Sequence, residues 1–176
     1  MPKILEDVRA QLLAEARRQT AELGYAKTTI RSVADNCGVA VGTVYNYFPS
    51  KEYLIASVLA EDWERSLAEL RAAAPCGAEA RLRAICEALT AFTQRYGSLF
   101  SDPDAAKAAS GVLPMRHLQL RDQLAELVAP LCGGEDDPFA ARFVAEALLT
   151  WTMAGVPFER LYPMIKKLIT EREESS

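Results

Sequence analysis

The 176 residues predict an all-α chain of about nine helices, and three observations carry that expectation. Apolar residues recur with a 3.6-residue period nearly throughout. No stretch sustains the period-two alternation of a strand, and no Asn-Gly or Asp-Gly hairpin signal occurs. Glycine and proline cut the pattern into helix-sized pieces. Half of the residues are hydrophobic, which is ample for a buried core and far from the composition of a disordered chain.

The first helix is predicted from about Lys3 to Leu23, with Leu5, Val8, Leu12, Ala16 and Leu23 along one face and Gly24 as its left-handed stop. A second begins near Thr29, capped by Thr28 or Thr29, turns Ile30, Val33, Ala34 and Cys37 inward and ends at Gly38. A third spans about Val41 to Tyr47. Pro49 and Ser50 then stop the chain and cap a fourth helix from Lys51 to about Ala73. Pro75 and Gly77 precede a fifth, to about Arg95. Between Tyr96 and Pro114 the breakers Gly97, Pro103, Gly111 and Pro114 leave room for one short helix between two loops. Another helix covers Met115 to Leu131. After the loop Cys132–Pro138, Asp137 and Pro138 start a helix that runs to about Ala154. Gly155 and Pro157 break the chain before a last helix from Phe158 to about Arg172. There is no internal repeat and no low-complexity segment.

Net charge is −4, but it is unevenly spread. Residues 1–53 hold seven Lys/Arg and six Asp/Glu, against thirteen and eighteen in residues 54–176. A weakly positive head on an acidic body can still bind nucleic acid through a local face. Cys37, Cys76, Cys86 and Cys132 form no CxxC pair and have no neighbouring histidine, so neither a disulfide framework nor a zinc site is expected, and reduced thiols in the cytoplasm fit best. No apolar run is long enough for a membrane span, and the N-terminus has no secretory pattern.

Residues 24–54 are the most informative. Two short helices joined by Cys37-Gly38-Val39-Ala40 can cross steeply, because glycine permits a backbone conformation that a Cβ opposes. Val33, Ala34, Val39 and Val44 are small enough for close approach, with Tyr45 and Phe48 as the larger filling against the first helix. Gly42, Thr43, Asn46 and Tyr47 are then left on the outside. Small residues, hydroxyls, an amide and an aromatic edge suit a helix entering a DNA major groove.

This segment resembles the DNA-binding head of the tetracycline-repressor (TetR) family. Gly24-Tyr25, Thr28-Thr29, Val33-Ala34, Gly38-Val39, Gly42-Thr43, Tyr45, Phe48 and Ser50-Lys51-Glu52 carry the resemblance, which covers roughly residues 4–55. It implies a helix-turn-helix head, here residues 1–50, on a helical regulatory and dimerisation body, residues 51–176. It also implies a homodimer on a palindromic double-stranded DNA operator, and repression relieved by a small effector. The implied DNA-facing residues are Thr28, Thr29, Arg31, Gly42, Thr43, Tyr45, Asn46, Tyr47 and Lys51. Arg31 is the candidate for guanine, whose two major-groove acceptors match its fork; Thr29, Tyr45 and Lys51 are candidates for phosphates. Two departures stand out: Ala40 replaces a capping serine, and Val41 stands where a basic residue or proline is common.

The body carries no motif of its own. Bulky candidates for lining an effector cavity are Trp63, Phe92, Tyr96, Phe100, Met115, His117, Leu118 and Trp151. The last two helices have apolar stripes suited to a four-helix interface across a two-fold axis, with Phe143, Ala147, Leu148, Leu161, Ile165 and Leu168 as candidates. On that reading Ile165→Asp should give monomers. No phosphate-binding glycine loop, HExxH or GxSxG occurs, and one histidine leaves few acid–base options, so an enzyme is not expected and no cofactor is implied. The competing reading is a helical ligand- or protein-binding module whose head has weak or lost DNA affinity.

Overall fold

The computed structural model describes residues 2–73, 77–109, 113–133 and 138–173. Among these the chain is helical, without strands. The helices are α1 (Pro2–Leu23), α2 (Ile30–Cys37), α3 (Val41–Tyr47), α4 (Lys51–Ala73), α5 (Ala78–Phe100), α6 (Pro103–Ala109), α7 (Leu113–Val128), α8 (Pro138–Met153) and α9 (Phe158–Glu173). A 3₁₀ turn, Ala129–Leu131, follows α7. No described helix is long and apolar enough to cross a membrane.

The boundaries of α5 and α7 depart from the sequence expectation. α5 runs through Gly97 to Phe100 rather than ending near Arg95. A glycine costs a helix about 1 kcal/mol relative to alanine, and here the buried Tyr96 and Leu99 hold that turn in place. α7 starts at Leu113, because a proline in the first turn forfeits no helical hydrogen bond. α9 contains Pro163, whose missing N–H leaves the Glu159 carbonyl without its usual donor.

Packing divides the chain into two compact units. The first comprises residues 1–65 with 95–111, the second residues 66–94 with 112–176, so α4 and α5 each contribute to both. In the first unit Leu12, Leu13 and Ala16 of α1, Ile30, Val33 and Ala34 of α2, Val44 of α3, and Leu54 and Val58 of α4 are buried, as is Phe48. Leu23 turns out to be exposed rather than inward, and Cys37 is half-buried. The side chain of Leu5 lies outside the described residues. The core of the second unit includes Leu82, Ile85, Leu89, Leu124, Val144, Leu148, Leu149, Leu161 and Ile165.

Candidate nucleic-acid interface

The interface is built from α2, the turn after it, and α3. Thr29 caps α2 from an extended backbone: its hydroxyl accepts the Ser32 amide at 3.0 Å, and the Ser32 hydroxyl accepts the Thr29 amide at 3.1 Å. Such a reciprocal box satisfies two amides that the helix itself cannot. Gly38 ends α2 in the left-handed region at φ 66°, where a Cβ would be opposed, and the following amide of Val39 bonds the Ala34 carbonyl at 3.0 Å. That turn sets the crossing of α2 and α3. Ala40 caps α3 without a side-chain hydrogen bond, forgoing about 1 kcal/mol relative to serine.

α3 buries Val44 and leaves Gly42, Tyr45 and Asn46 exposed, with Thr43 and Tyr47 half-buried. Tyr45, 51% exposed, does not fill the space against α1; Phe48, fully buried, does so alone, with Arg9 over its ring at 5.6 Å. A Cβ built on Gly42 meets nothing within 4 Å, and its backbone is not left-handed. Nothing among the described residues therefore requires glycine there. Arg31 is exposed on the first turn of α2.

Three of the expected DNA-facing residues have partners within the chain. Thr28 is fully buried and its hydroxyl donates to the Gly24 carbonyl at 2.9 Å, so it serves the turn after α1. Thr29 is exposed, but its hydroxyl is held by the cap. Lys51 folds back: its ammonium lies 3.7 Å over the Tyr25 ring and donates to the Tyr25 carbonyl at 2.5 Å. Burial lowers the Lys51 pKa from its ordinary value. The Tyr25 hydroxyl in turn donates to Glu52 at 3.1 Å, and burial with that neighbour pushes it up to about 12.

The first unit also holds a polar cluster that the sequence analysis missed. Asp62 of α4, its side chain 1% exposed, accepts from Arg17 Nε of α1 at 2.8 Å and from the Tyr96 hydroxyl of α5 at 2.5 Å. Arg95 and Arg65 approach it at 3.3 and 3.7 Å, and Arg17 also pairs with Glu61. Burial pushes the Asp62 carboxyl up, but Tyr96 and Arg17 outweigh it and hold the pKa below the ordinary carboxylate value. Burial and Asp62 together raise the Tyr96 pKa. The signal was present: Asp62 follows Leu54 and Val58 at four-residue spacing, on a face that is otherwise apolar.

The candidate effector residues are divided between the two units. Trp63, Tyr96 and Phe100 belong to the first unit, and Phe92, Met115, His117, Leu118 and Trp151 to the second. Trp63 and Tyr96 are buried, and the Tyr96 hydroxyl is engaged by Asp62. Leu118 and Trp151 are exposed. His117 pairs with Glu146 at 2.8 Å, and the Met115 side chain lies outside the described residues. An open groove of about 700 Å³ in the second unit is lined by other residues, among them Arg83, Leu131, Tyr162 and Lys166.

The candidate interface residues of α8 and α9 separate into two sets. Leu148, Leu161 and Ile165 are buried within the second unit, because they share the inward face with Val144 and Ile169. Phe143 and Leu168 are exposed, as are Phe139, Trp151 and Met164, and Ala147 is half-buried.

Comparison with known proteins agrees with this geometry. Residues 12–58, which span most of α1 through the start of α4, match the model of the bacterial regulatory proteins, tetR family. Within those residues the chain is similar to that family. The tetR-family head is 33% identical over 66 residues to the HTH-type transcriptional regulator UidR of Escherichia coli (strain K12), covering 38% of this chain and 34% of UidR. It is 52% identical over 42 residues to the HTH-type transcriptional repressor KstR of Rhodococcus jostii (strain RHA1), covering 24% and 20%. The chain thus spans about a third or less of the length of these relatives. The fold is similar over nearly the whole chain to Thermus thermophilus FadR, a TetR-family transcriptional repressor solved with lauroyl-CoA. That match has a TM-score of 0.60 and 24% identity, and covers 93% of each chain.

Proposed function

We propose that the chain is a sequence-specific DNA-binding transcriptional regulator, a homodimeric repressor released from a palindromic operator by a small, largely apolar ligand. The observation that carries this reading is the outer face of α2 and α3. Arg31, Gly42, Tyr45 and Asn46 are exposed there, and the smallness of Gly42 answers to nothing among the described residues. A backbone free of side chain at that point suits close approach to a phosphate or a base edge. Repression follows the relatives named as repressors, and an apolar ligand follows the acyl ligand of a protein with this fold. A cytoplasmic location follows from access to an operator.

The exposed apolar residues of α8 and α9 support a two-fold pairing of second units, which would present two recognition helices to two half-sites. A ligand would act by favouring one dimer arrangement over another, and its effect is bounded by its difference in affinity for the two.

The test is selection of duplexes from a random DNA pool, with affinity of the winner measured at two salt concentrations. A palindrome bound far more tightly than scrambled DNA supports the reading. Weak binding without sequence preference, abolished by salt, favours a binding module whose head has lost DNA affinity; the uncapped Ala40 and the inward Lys51 are the observations on its side.

Two substitutions sharpen the test. Arg31→Ala is expected to weaken binding of the selected duplex by about 1–3 kcal/mol and to relax preference at one base position. An unchanged binding curve removes Arg31 from the interface. Gly42→Ala is expected to stabilise α3 by up to about 1 kcal/mol while weakening DNA binding about tenfold. Thermal melting and binding should therefore move in opposite directions, and equal or tighter binding would leave Gly42 without a role at the DNA.

A further inference from the structure

We propose that Gln19 is a positioning residue for the DNA-facing end of α2, working through a polar ladder of fixed direction between α1 and α2. Its role in recognition rests on the DNA-binding reading above. Gln19 is 1% exposed, among Leu12, Leu13 and Ala16 on the inward side of α1. A buried amide must be satisfied at both ends. Its Nε2 donates to Glu15 Oε1 at 2.7 Å, and its Oε1 accepts from Ser32 Oγ at 2.6 Å.

The direction of this ladder is set by chemistry. An ionised carboxylate can only accept, so the Gln19 amide cannot be turned over without placing acceptor against acceptor. The Gln19 carbonyl therefore faces Ser32, and the Ser32 hydroxyl must spend its single proton there. The lone pairs of Ser32 are left for the Thr29 amide at 3.1 Å and the Thr29 hydroxyl at 3.0 Å. Glu15 is held ionised: Arg18 above all, against the opposing effect of burial and with help from Gln19 and Asn36, pulls its pKa down to about 2.

The same Glu15 oxygen accepts from Asn36 Nδ2 at 2.6 Å. Glu15 and Gln19 lie four residues apart on α1, and Ser32 and Asn36 four apart on α2, so each pair shares one face of its helix. The ladder thus holds α2 at its first turn through Ser32 and at its last turn through Asn36. Just ahead of the Ser32 rung, Thr29 and Arg31 sit exposed at the start of α2.

Removing Gln19 does not remove the cap. The Thr29 carbonyl, 2.9 Å from Ser32 Oγ, is the rival acceptor for the freed proton, so the box closes on itself and only its link to α1 is lost. The consequence is an α2 that remains helical but is less well placed against α1. This separates a positioning role from a merely structural one.

The experiment compares full-length wild type, Gln19→Leu, Ser32→Ala and the double variant on the selected duplex. Gln19→Leu keeps the volume, and the expected result is about tenfold weaker specific binding with unchanged binding of scrambled DNA. The double variant should bind no more weakly than Ser32→Ala alone, because both break one connection. Amide hydrogen exchange of residues 29–33 without DNA is the second readout: faster exchange there in Gln19→Leu, with the melting temperature held, is expected. Specific binding equal to wild type, losses that add, or unaltered exchange would overturn the proposal. If the wild type selects no duplex, the DNA-binding reading fails, while the exchange measurement still decides whether the ladder holds α2.

Discussion

Replacing Arg17 with methionine is expected to lower the stability of the chain by about 3 kcal/mol, and its melting temperature by roughly 6–12 °C. The reason is what it leaves behind. Asp62 stays in the interior with 1% of its side chain exposed, and loses the guanidinium whose Nε lies 2.8 Å from its carboxylate. Truncating one partner of a buried ion pair typically costs about 3–5 kcal/mol. The low end applies because the Tyr96 hydroxyl and Arg95 still reach the same group. Acid should narrow the difference, and the sign follows from linkage. A carboxyl held below its ordinary value of 3.8 contributes stability fully above that pH, and loses it as pH falls through the folded-state value. Without Arg17 less of that depression remains, so the two proteins should differ fully at pH 7 and converge below about pH 4. Urea unfolding across that range is the measurement. A methionine variant as stable as wild type at pH 7 would make Arg17 an ordinary surface charge.

That cluster marks the limit of what the sequence disclosed. Helices α2, α3 and α4 were legible to within a residue, because Thr29, Gly38 and Ser50 are local signals whose chemistry acts within a turn. Gly97 was misleading for the opposite reason. Its intrinsic cost is small, and the anchoring of Tyr96 and Leu99, which overrides it, is tertiary. Asp62 breaks an apolar face, a visible anomaly, but its partners on α1 and α5 are 45 and 34 residues away in the chain.

On the candidate DNA face, the sequence did not show the local partners of particular hydroxyls and cations. The family resemblance placed Thr28, Thr29 and Lys51 at DNA. Each instead has an acceptor or donor close by in its own chain, and a local partner available in the free protein competes with one that must be bound. Arg31, Gly42 and Asn46 are exposed, and none of the described residues of the first unit claims them for packing. Gln19 was passed over because a single polar residue in an amphipathic helix reads as surface; only the burial of its amide between Glu15 and Ser32 makes it significant.

Phe143→Asp combined with Leu168→Asp is expected to convert a dimer to monomers with little change in the stability of the single chain. Both side chains are about half exposed, at 53% and 47%, on the outer faces of α8 and α9. A carboxylate there remains solvated in the monomer, but loses its water if two such faces pair. Ile165→Asp, which the apolar stripe alone suggests, is the wrong probe. Ile165 is buried beside Leu161 and Ile169, so a charge at that position would unfold the second unit and mimic dissociation. Sedimentation at micromolar concentration separates these outcomes: folded monomers for the double variant, and loss of helical signal for Ile165→Asp. DNA binding supplies an independent readout. A dimer gains its second half-site at high effective concentration, so monomers should lose on the order of 10²-fold or more for a palindrome and little for an isolated half-site. A double variant that still sediments as a dimer would place the two-fold elsewhere, and would leave the exposed apolar faces of α8 and α9 to a different partner.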